Sequence, residues 1–295
     1  MTSTSTRTEP PRADCIADSA GGITFDIVGD ASPGAVLVLR RRGGKTAADV
    51  MRLPLTPAGE GRLRAVLPST VEIPEGRWDA FTTHGDEDAG EQRIEPGIRD
   101  LRSLVDRAPD PGRAQVAVRI PYPTLDGKLA VRCWLRAPHA EAGTLTFARG
   151  EMTLEGRLYG TGPGGGAMVV EARLRGAKKD VYRAPVTVRD DGTFTFTLEY
   201  EPLAEGRGDE QRLWDLWLCP ADAEPGQAAG IRVGRILDDV WDKKGVFRYP
   251  VLPVQGPKVT RPTTAYPYFT VDNDLSVRLD TAKQEPEQGQ EQGQK

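Results

Sequence analysis

Two stretches of this chain are nearly the same. Pro121-Tyr-Pro-Thr-Leu-Asp-Gly-Lys-Leu-Ala-Val-Arg132 and Pro267-Tyr-Phe-Thr-Val-Asp-Asn-Asp-Leu-Ser-Val-Arg278 agree at seven of twelve positions. Gly127 and Asn273, which stand opposite each other in that alignment, are the two residue types that best tolerate a left-handed turn. Further matches follow in the same order along the chain. Gly21-Gly-Ile-Thr-Phe-Asp26 pairs with Gly150-Glu-Met-Thr-Leu-Glu155, and Leu53-Pro-Leu-Thr56 with Ala184-Pro-Val-Thr187. Arg77-Trp78-Asp79 pairs with Leu213-Trp214-Asp215, and Gly97-Ile98-Arg99 with Gly230-Ile231-Arg232. The spacing between counterparts drifts from about 129 to 146 residues, as insertions in surface loops would cause. A unit this long is no solenoid repeat, so the chain reads as two similar domains in tandem.

The local pattern within each copy is that of strands. Ile23–Val28, Arg62–Leu67, Val186–Arg189 and Thr193–Leu198 alternate between apolar and polar residues, and Gly, Pro or Asp bounds each run. Such short alternating runs make half-buried antiparallel strands. Asp126-Gly127 and Asp190-Asp191-Gly192 lie between two runs and predict hairpin turns. Helical periodicity is scarce, the best case being Asp100–Arg107, which stops before Pro109. The expected fold is all-β: two tandem immunoglobulin-like or jelly-roll antiparallel β-sandwiches. The expected division is a disordered tail over 1–14, repeat one over 15–136, repeat two over 137–280 and a second disordered tail over 281–295. The polar N-terminus carries no apolar leader core, and the C-terminal tail is too poor in apolar residues to offset the entropy of ordering.

Charge and composition exclude several classes. No stretch approaches the ~20 apolar residues of a spanning helix. With 39 basic and 43 acidic residues, the net charge of −4 gives no general attraction to nucleic acid. The three cysteines, Cys15, Cys133 and Cys219, lie far apart, which suits a reducing, cytoplasmic setting and small buried side chains at Cys133 and Cys219.

No set of residues forms a recognisable reactive centre. The two histidines, His84 and His139, read as exposed loop residues, and no Gly-x-Ser-x-Gly elbow accompanies them. Tyr159-Gly-Thr-Gly-Pro-Gly-Gly-Gly-Ala167 has glycines but no following Lys-Ser/Thr, so it reads as a hairpin loop rather than a phosphate cradle. Asp238, Asp239 and Asp242 could serve a divalent ion, or simply form a solvated turn anchored by Trp241. Thus no catalytic residue, no metal site and no cofactor is assigned. Candidate ligand-binding residues are the paired Trp-Asp motifs, Trp78 with Asp79 and Trp214 with Asp215, and the basic run Arg40, Arg41 and Arg42. In a strand, Trp and the following Asp point to opposite faces. The motifs therefore read either as core tryptophans beside hydrogen-bonding acids or as an aromatic and acidic carbohydrate surface. The basic run closes the strand Val36–Leu39, where it reads as a solvated tip or as a contact for phosphate.

The Trp-Asp strand followed by the Pro-Tyr-x-Thr-x-Asp-Gly/Asn-x-Leu-x-Val-Arg hairpin resembles the β-sandwich accessory domains of actinobacterial cell-wall glycopolymer transferases. Those regions accompany teichoic-acid-type glycosyl- and glycerophosphotransferase modules, and the likeness runs over residues 20–280. It implies a non-catalytic, cytoplasmic accessory protein that binds a glycan, a transferase partner protein or both. A nucleotide-sugar-binding catalytic domain would need a doubly wound parallel sheet with long helices. Two alternatives stay open. One is a transferase enzyme using the Asp238–Asp242 cluster with a divalent ion and Arg40–Lys45 for phosphate. The other is a protein-interaction scaffold whose edge strands pair with partners.

Overall fold

A computed structural model of the chain describes residues 9–28, 34–84, 90–109, 114–161, 166–177 and 179–282. The fold is nearly all-β, with 54% of the described residues in strands and 4% in helix. The first strands in order are β1 (Arg12–Ala17), β2 (Ile23–Val28), β3 (Ala35–Arg41), β4 (Val50–Pro54), β5 (Thr56–Pro57) and β6 (Arg62–Leu67). Next come β7 (Gly76–His84), β8 (Gln92–Arg93), β9 (Glu95–Asp100), β10 (Val116–Pro123) and β11 (Leu129–Arg136). These form two sheets, ordered β5-β6-β2-β1-β9 and β10-β11-β7-β3-β4. One apolar layer lies between them, with Cys15, Phe25, Ile27 and Leu67 from the first sheet meeting Leu37, Leu39, Trp78 and Val131 from the second. The alternation read in β2 and β6 is thus the alternation of core-facing and outward residues. The β1–β9 pair departs from the antiparallel expectation, since its strands run parallel. β9 follows β8, which pairs with β7 in the other sheet, so the chain crosses between sheets before joining β1, and a crossover is what a parallel pair requires.

The second run comprises β12 (His139–Ala148), β13 (Glu151–Tyr159), β14 (Met168–Leu174), β15 (Val181–Val188) and β16 (Thr193–Glu199). After the single turn of helix Glu201–Ala204 come β17 (Arg212–Pro220), β18 (Ile231–Gly234), β19 (Leu252–Val254), β20 (Thr263–Phe269) and β21 (Leu275–Thr281). Where two separate sheets are expected, these strands form one continuous sheet. Seven of them, β14-β15-β16-β13-β12-β18-β17, close into a barrel through the β14–β17 pairing, and β21, β20 and β19 extend from β17. The closing pairs run from Met168↔Pro220 to Leu174↔Trp214 and join strands far apart in the sequence. Closing a sheet on itself leaves no unpaired edge at that seam.

The described residues divide into two compact units. The first comprises those within 1–141, 158–162 and 234–243, and the second those within 142–157, 163–233 and 244–295. Both copies of the duplicated motif form hairpins. In β10–β11 the Thr124 N–H bonds Lys128 and the Gly127 N–H bonds Thr124, while in β20–β21 Thr270 bonds Asp274 and Asn273 bonds Thr270. Gly127 at φ 71° and Asn273 at φ 61° hold the left-handed positions. The Asp190–Gly192 turn closes through Arg189 and Thr193. The helix expected over 100–107 shrinks to the 3-10 turn Arg102–Leu104. Asp106 takes a left-handed conformation at φ 52°, which no helix can continue through. The N-terminal tail expectation is shortened as well, because β1 begins at Arg12; residues 1–8 and 283–295 lie outside the described residues.

Candidate functional site

Strand alternation decides which side chains of the second unit face outward. On β17, Trp214 is buried at 4% exposure while its neighbours Leu213 and Asp215 point the other way. Register extends that outer face across the sheet. Leu213 stands opposite Arg278, and Arg278 opposite Tyr266. One pleat along, Asp215 stands opposite Ser276, and Ser276 opposite Tyr268. Past the end of β14, the Arg175 N–H bonds the Leu213 carbonyl and brings Arg175 into the first row.

The segment 244–251 walls this face. Phe247 packs edge-on against Phe269 with ring centroids 5.6 Å apart, and Tyr249 lies 6.2 Å from Phe269 and 5.8 Å from Phe147. These contacts anchor the segment by its rings and leave its Lys244 and Arg248 exposed. Between segment and sheet lies a pocket of about 670 Å³. That is a size suited to small ligands or a few units of a polymer.

Its electrostatics are one-sided. Arg175, Lys244, Arg248 and Arg278 line it, and among the described residues no carboxylate does. Tyr249, Tyr266 and Tyr268 add ring faces and hydroxyls, and Gln211 and Thr270 add neutral polar groups. Two of the cations are held from behind. Arg175 donates to both oxygens of Asp215 at 2.6 and 3.3 Å, and Arg278 donates to Asp280 at 2.6 Å. Asp215 also accepts from Arg232 at 2.9 Å and from the Ser276 hydroxyl at 2.7 Å. Burial pushes the Asp215 carboxyl up, but the Arg175 hydrogen bond, the Arg232 charge and the Ser276 hydroxyl outweigh it, so its net displacement is downward. Burial likewise raises Tyr266, whose hydroxyl, like any tyrosine's, is protonated at neutral pH. Chemically the pocket can accept an anion, hydrogen-bond polar groups and stack a ring.

Only one of the seven residues singled out from the sequence reaches this place. Asp215 holds Arg175 at its rim. Its partner Trp214 is a core residue, as is Trp78, which is fully buried with its indole N–H bonding the Pro74 carbonyl at 3.1 Å. Neither ring can therefore offer a face to a ligand, and the aromatic surface expected of them is corrected to a core role. Asp79 receives Arg42 at 2.7 Å and Arg93 at 3.3 Å. Arg40 pairs with Glu91 at 2.6 Å, and Arg41 bonds Asp49 at 3.2 Å and the Glu75 carbonyl at 2.5 Å. Each arginine of the basic run thus has a carboxylate partner. Five pocket residues, Pro267, Tyr268, Thr270, Val271 and Arg278, lie inside the duplicated motif that the sequence displays. Arg175, Lys244 and Arg248 carry no sequence signal, because only the fold gathers them.

The remaining candidates land as follows. His139 is not an exposed loop residue; it lies fully buried in β12, with its Nε2 2.6 Å from the Glu141 carboxylate. Glu141 also accepts the backbone N–H groups of Ile236 and Leu237. Asp238 accepts from Arg235 at 2.9 Å and from the buried Lys243 at 2.6 Å. Among the described residues no group of three or more His, Cys, Asp or Glu is placed to hold a metal ion. The side chain of His84 and the glycine run 162–165 lie outside the described residues. All three cysteines are buried and free, and burial pushes Cys15 and Cys133 up to about 12 and Cys219 up to about 11. No helix among the described residues is long and apolar enough to cross a membrane.

No family model matches this chain, and no curated protein matches it. Among solved structures it is similar to Staphylococcus aureus TarS, at 14% identity and TM-score 0.30, over 64% of this chain and 35% of that one. A second structure, TarS residues 217–571, gives 15% identity and TM-score 0.29 over 64% and 55%. The titin domains z1z2 in complex with telethonin give 11% identity and TM-score 0.18 over 75% and 92%. The chain thus spans about a third and about half of the two TarS structures. TM-scores of this size fall short of a shared fold, and the chemistry of the pocket carries the functional reading.

Proposed function

We propose that this protein is a non-catalytic binding protein for an anionic glycan, acting in the cytoplasm beside a cell-envelope glycopolymer transferase. The observation that carries this reading is the pocket's lining: four cationic side chains with three tyrosines and, among the described residues, no carboxylate. A phosphate- or carboxylate-bearing glycan offers the charge for those cations, hydroxyls for Gln211 and the tyrosines, and apolar ring faces for the aromatic walls. A neutral glycan would meet the same hydroxyl and ring contacts but gain nothing from the charge of the four cations.

The same proposal treats the chain as a duplicated β domain, about 15–136 and 137–280, a sandwich whose second copy has closed into a barrel. Matching registers support it. Trp78 stands opposite Val131 and Val131 opposite Pro121, as Trp214 stands opposite Val277 and Val277 opposite Pro267. The two copies differ at their outer faces, and on this reading only the second copy binds.

Co-sedimentation of the full chain with a phosphate-bearing wall glycopolymer, beside an uncharged glucan, tests the function. The phosphate polymer should carry the protein down and the glucan should not. The Lys244→Ala/Arg248→Ala variant, changed at two exposed positions where folding has little at stake, should stay in the supernatant. Equal retention by both polymers would overturn the reading.

A further inference from the structure

The two units build the same frame around a tyrosine and finish it differently. In the first unit Tyr122 stands opposite Ala130, which stands opposite Asp79; Arg42 forks onto Asp79, and the Arg42 N–H bonds the Arg77 carbonyl. In the second unit Tyr268 stands opposite Ser276, which stands opposite Asp215; Arg175 forks onto Asp215, and its N–H bonds Leu213. Tyr122 already carries a ring. Trp241 stacks on it with centroids 4.2 Å apart and planes 21° from parallel. That ring rests on an apolar bed, in which Val118, Ile120 and Trp134 pack with Ile236 and Leu237. The counterparts of those three strand residues in the second unit are Thr264, Tyr266 and Asp280, none of which would welcome an aliphatic strap. Tyr268 faces the pocket in company with Arg175 and Arg278.

From this pairing we infer that Tyr268 is the platform for a sugar ring of the bound glycan, stacked as Trp241 stacks on Tyr122. The pocket therefore selects a cyclic sugar phosphate over an open-chain polyol phosphate. This rests on the anionic-glycan reading above and adds to it a ring requirement and the residue that imposes it. Charge alone cannot make such a distinction, because the cations see the same phosphate in either case. A tyrosine face can, since a rigid ring offers it a broad apolar surface at less cost in conformational entropy than a flexible chain.

Glucose 6-phosphate and sorbitol 6-phosphate carry the same phosphate on six carbons, one closed into a ring and the other open. Calorimetric titration of the full chain with each should show the cyclic compound binding about tenfold tighter, a difference worth ~1.4 kcal/mol. Tyr268→Ala should bring the two to parity, and Tyr268→Phe should keep the preference. Equal binding of both by the unaltered protein, or a preference that survives Tyr268→Ala, overturns the ring assignment and leaves the anion reading standing. Binding of neither phosphate overturns the anion reading and the ring assignment together.

Discussion

Arg175 and Asp215 form a fork at the pocket rim, 2.6 and 3.3 Å across its two hydrogen bonds, and Asp215 also anchors Arg232, whose side chain is only 12% exposed. The carboxylate therefore serves two cations at once. Asp215→Ala would strip Arg232 of a close partner in a largely buried place, and should cost ~1–3 kcal/mol, read as a lower Tm.

The same carboxyl sets an acid limit. Its pKa is lowered in the folded protein, so the stability it contributes is fully present above the ordinary aspartate value of ~3.9 and is lost as pH falls through the lowered value. Denaturant titrations between pH 5 and pH 2 should show a loss of stability in that window that is smaller in Asp215→Asn.

Lys243 makes a second, opposite case in the first unit. It is fully buried, bonds Asp238 at 2.6 Å and the Val240 carbonyl at 2.8 Å, and burial lowers its pKa below the usual 10.5. The folded protein therefore holds the charged form at a penalty that is present below the lowered pKa and fades as pH rises from there toward 10.5. Asp238→Ala should cost ~3–5 kcal/mol by leaving that ammonium without its carboxylate. Adding Lys243→Met should recover most of the loss, which melts of the single and double variants would show.

Much of this architecture is legible in the sequence, and the reason is periodicity. Alternation in Ile23–Val28 and Thr193–Leu198 marks strands because one face of each is core, and the left-handed positions at Gly127 and Asn273 mark hairpin tips. The duplicated motif predicts a register that the two hairpins share. Other features are not legible because they depend on long-range gathering. Closure of the barrel is set by pairs such as Val170↔Leu218, which no local pattern announces. His139 reads as a loop residue from its Ala-Pro-His-Ala-Glu setting, yet Glu141 and the strand around it draw it fully inside. The pocket's cations come from three separate parts of the chain, and only Arg278 sits within a motif. Trp78 and Trp214 stand out in the sequence for a reason that is structural, since a large buried ring on a central strand fixes the core.

That core role has its own consequence. Trp78→Ala should cost ~3–5 kcal/mol, seen as a fall in the denaturant midpoint, while the folded fraction at low temperature keeps its full affinity for glucose 6-phosphate. Tyr268→Ala should do the reverse, lowering affinity with little change in midpoint.

Ionic strength should weaken binding of the charged ligand. The pocket opens to solvent beside Lys244 and Arg248, so its attraction is screened as the Debye length shortens from about 10 Å at 0.1 M salt to about 3 Å at 1 M. Association rates measured across that range should fall more than dissociation rates rise.

The most direct test is a calorimetric titration of the full chain with glucose 6-phosphate and with glucose at one fixed ionic strength, repeated on Lys244→Ala/Arg248→Ala. Saturable binding of the phosphate alone, at one site per chain and at least tenfold weaker in the double variant, is the expected result. Equal binding of the neutral sugar, or an affinity for the phosphate that the double variant leaves unchanged, would contradict it.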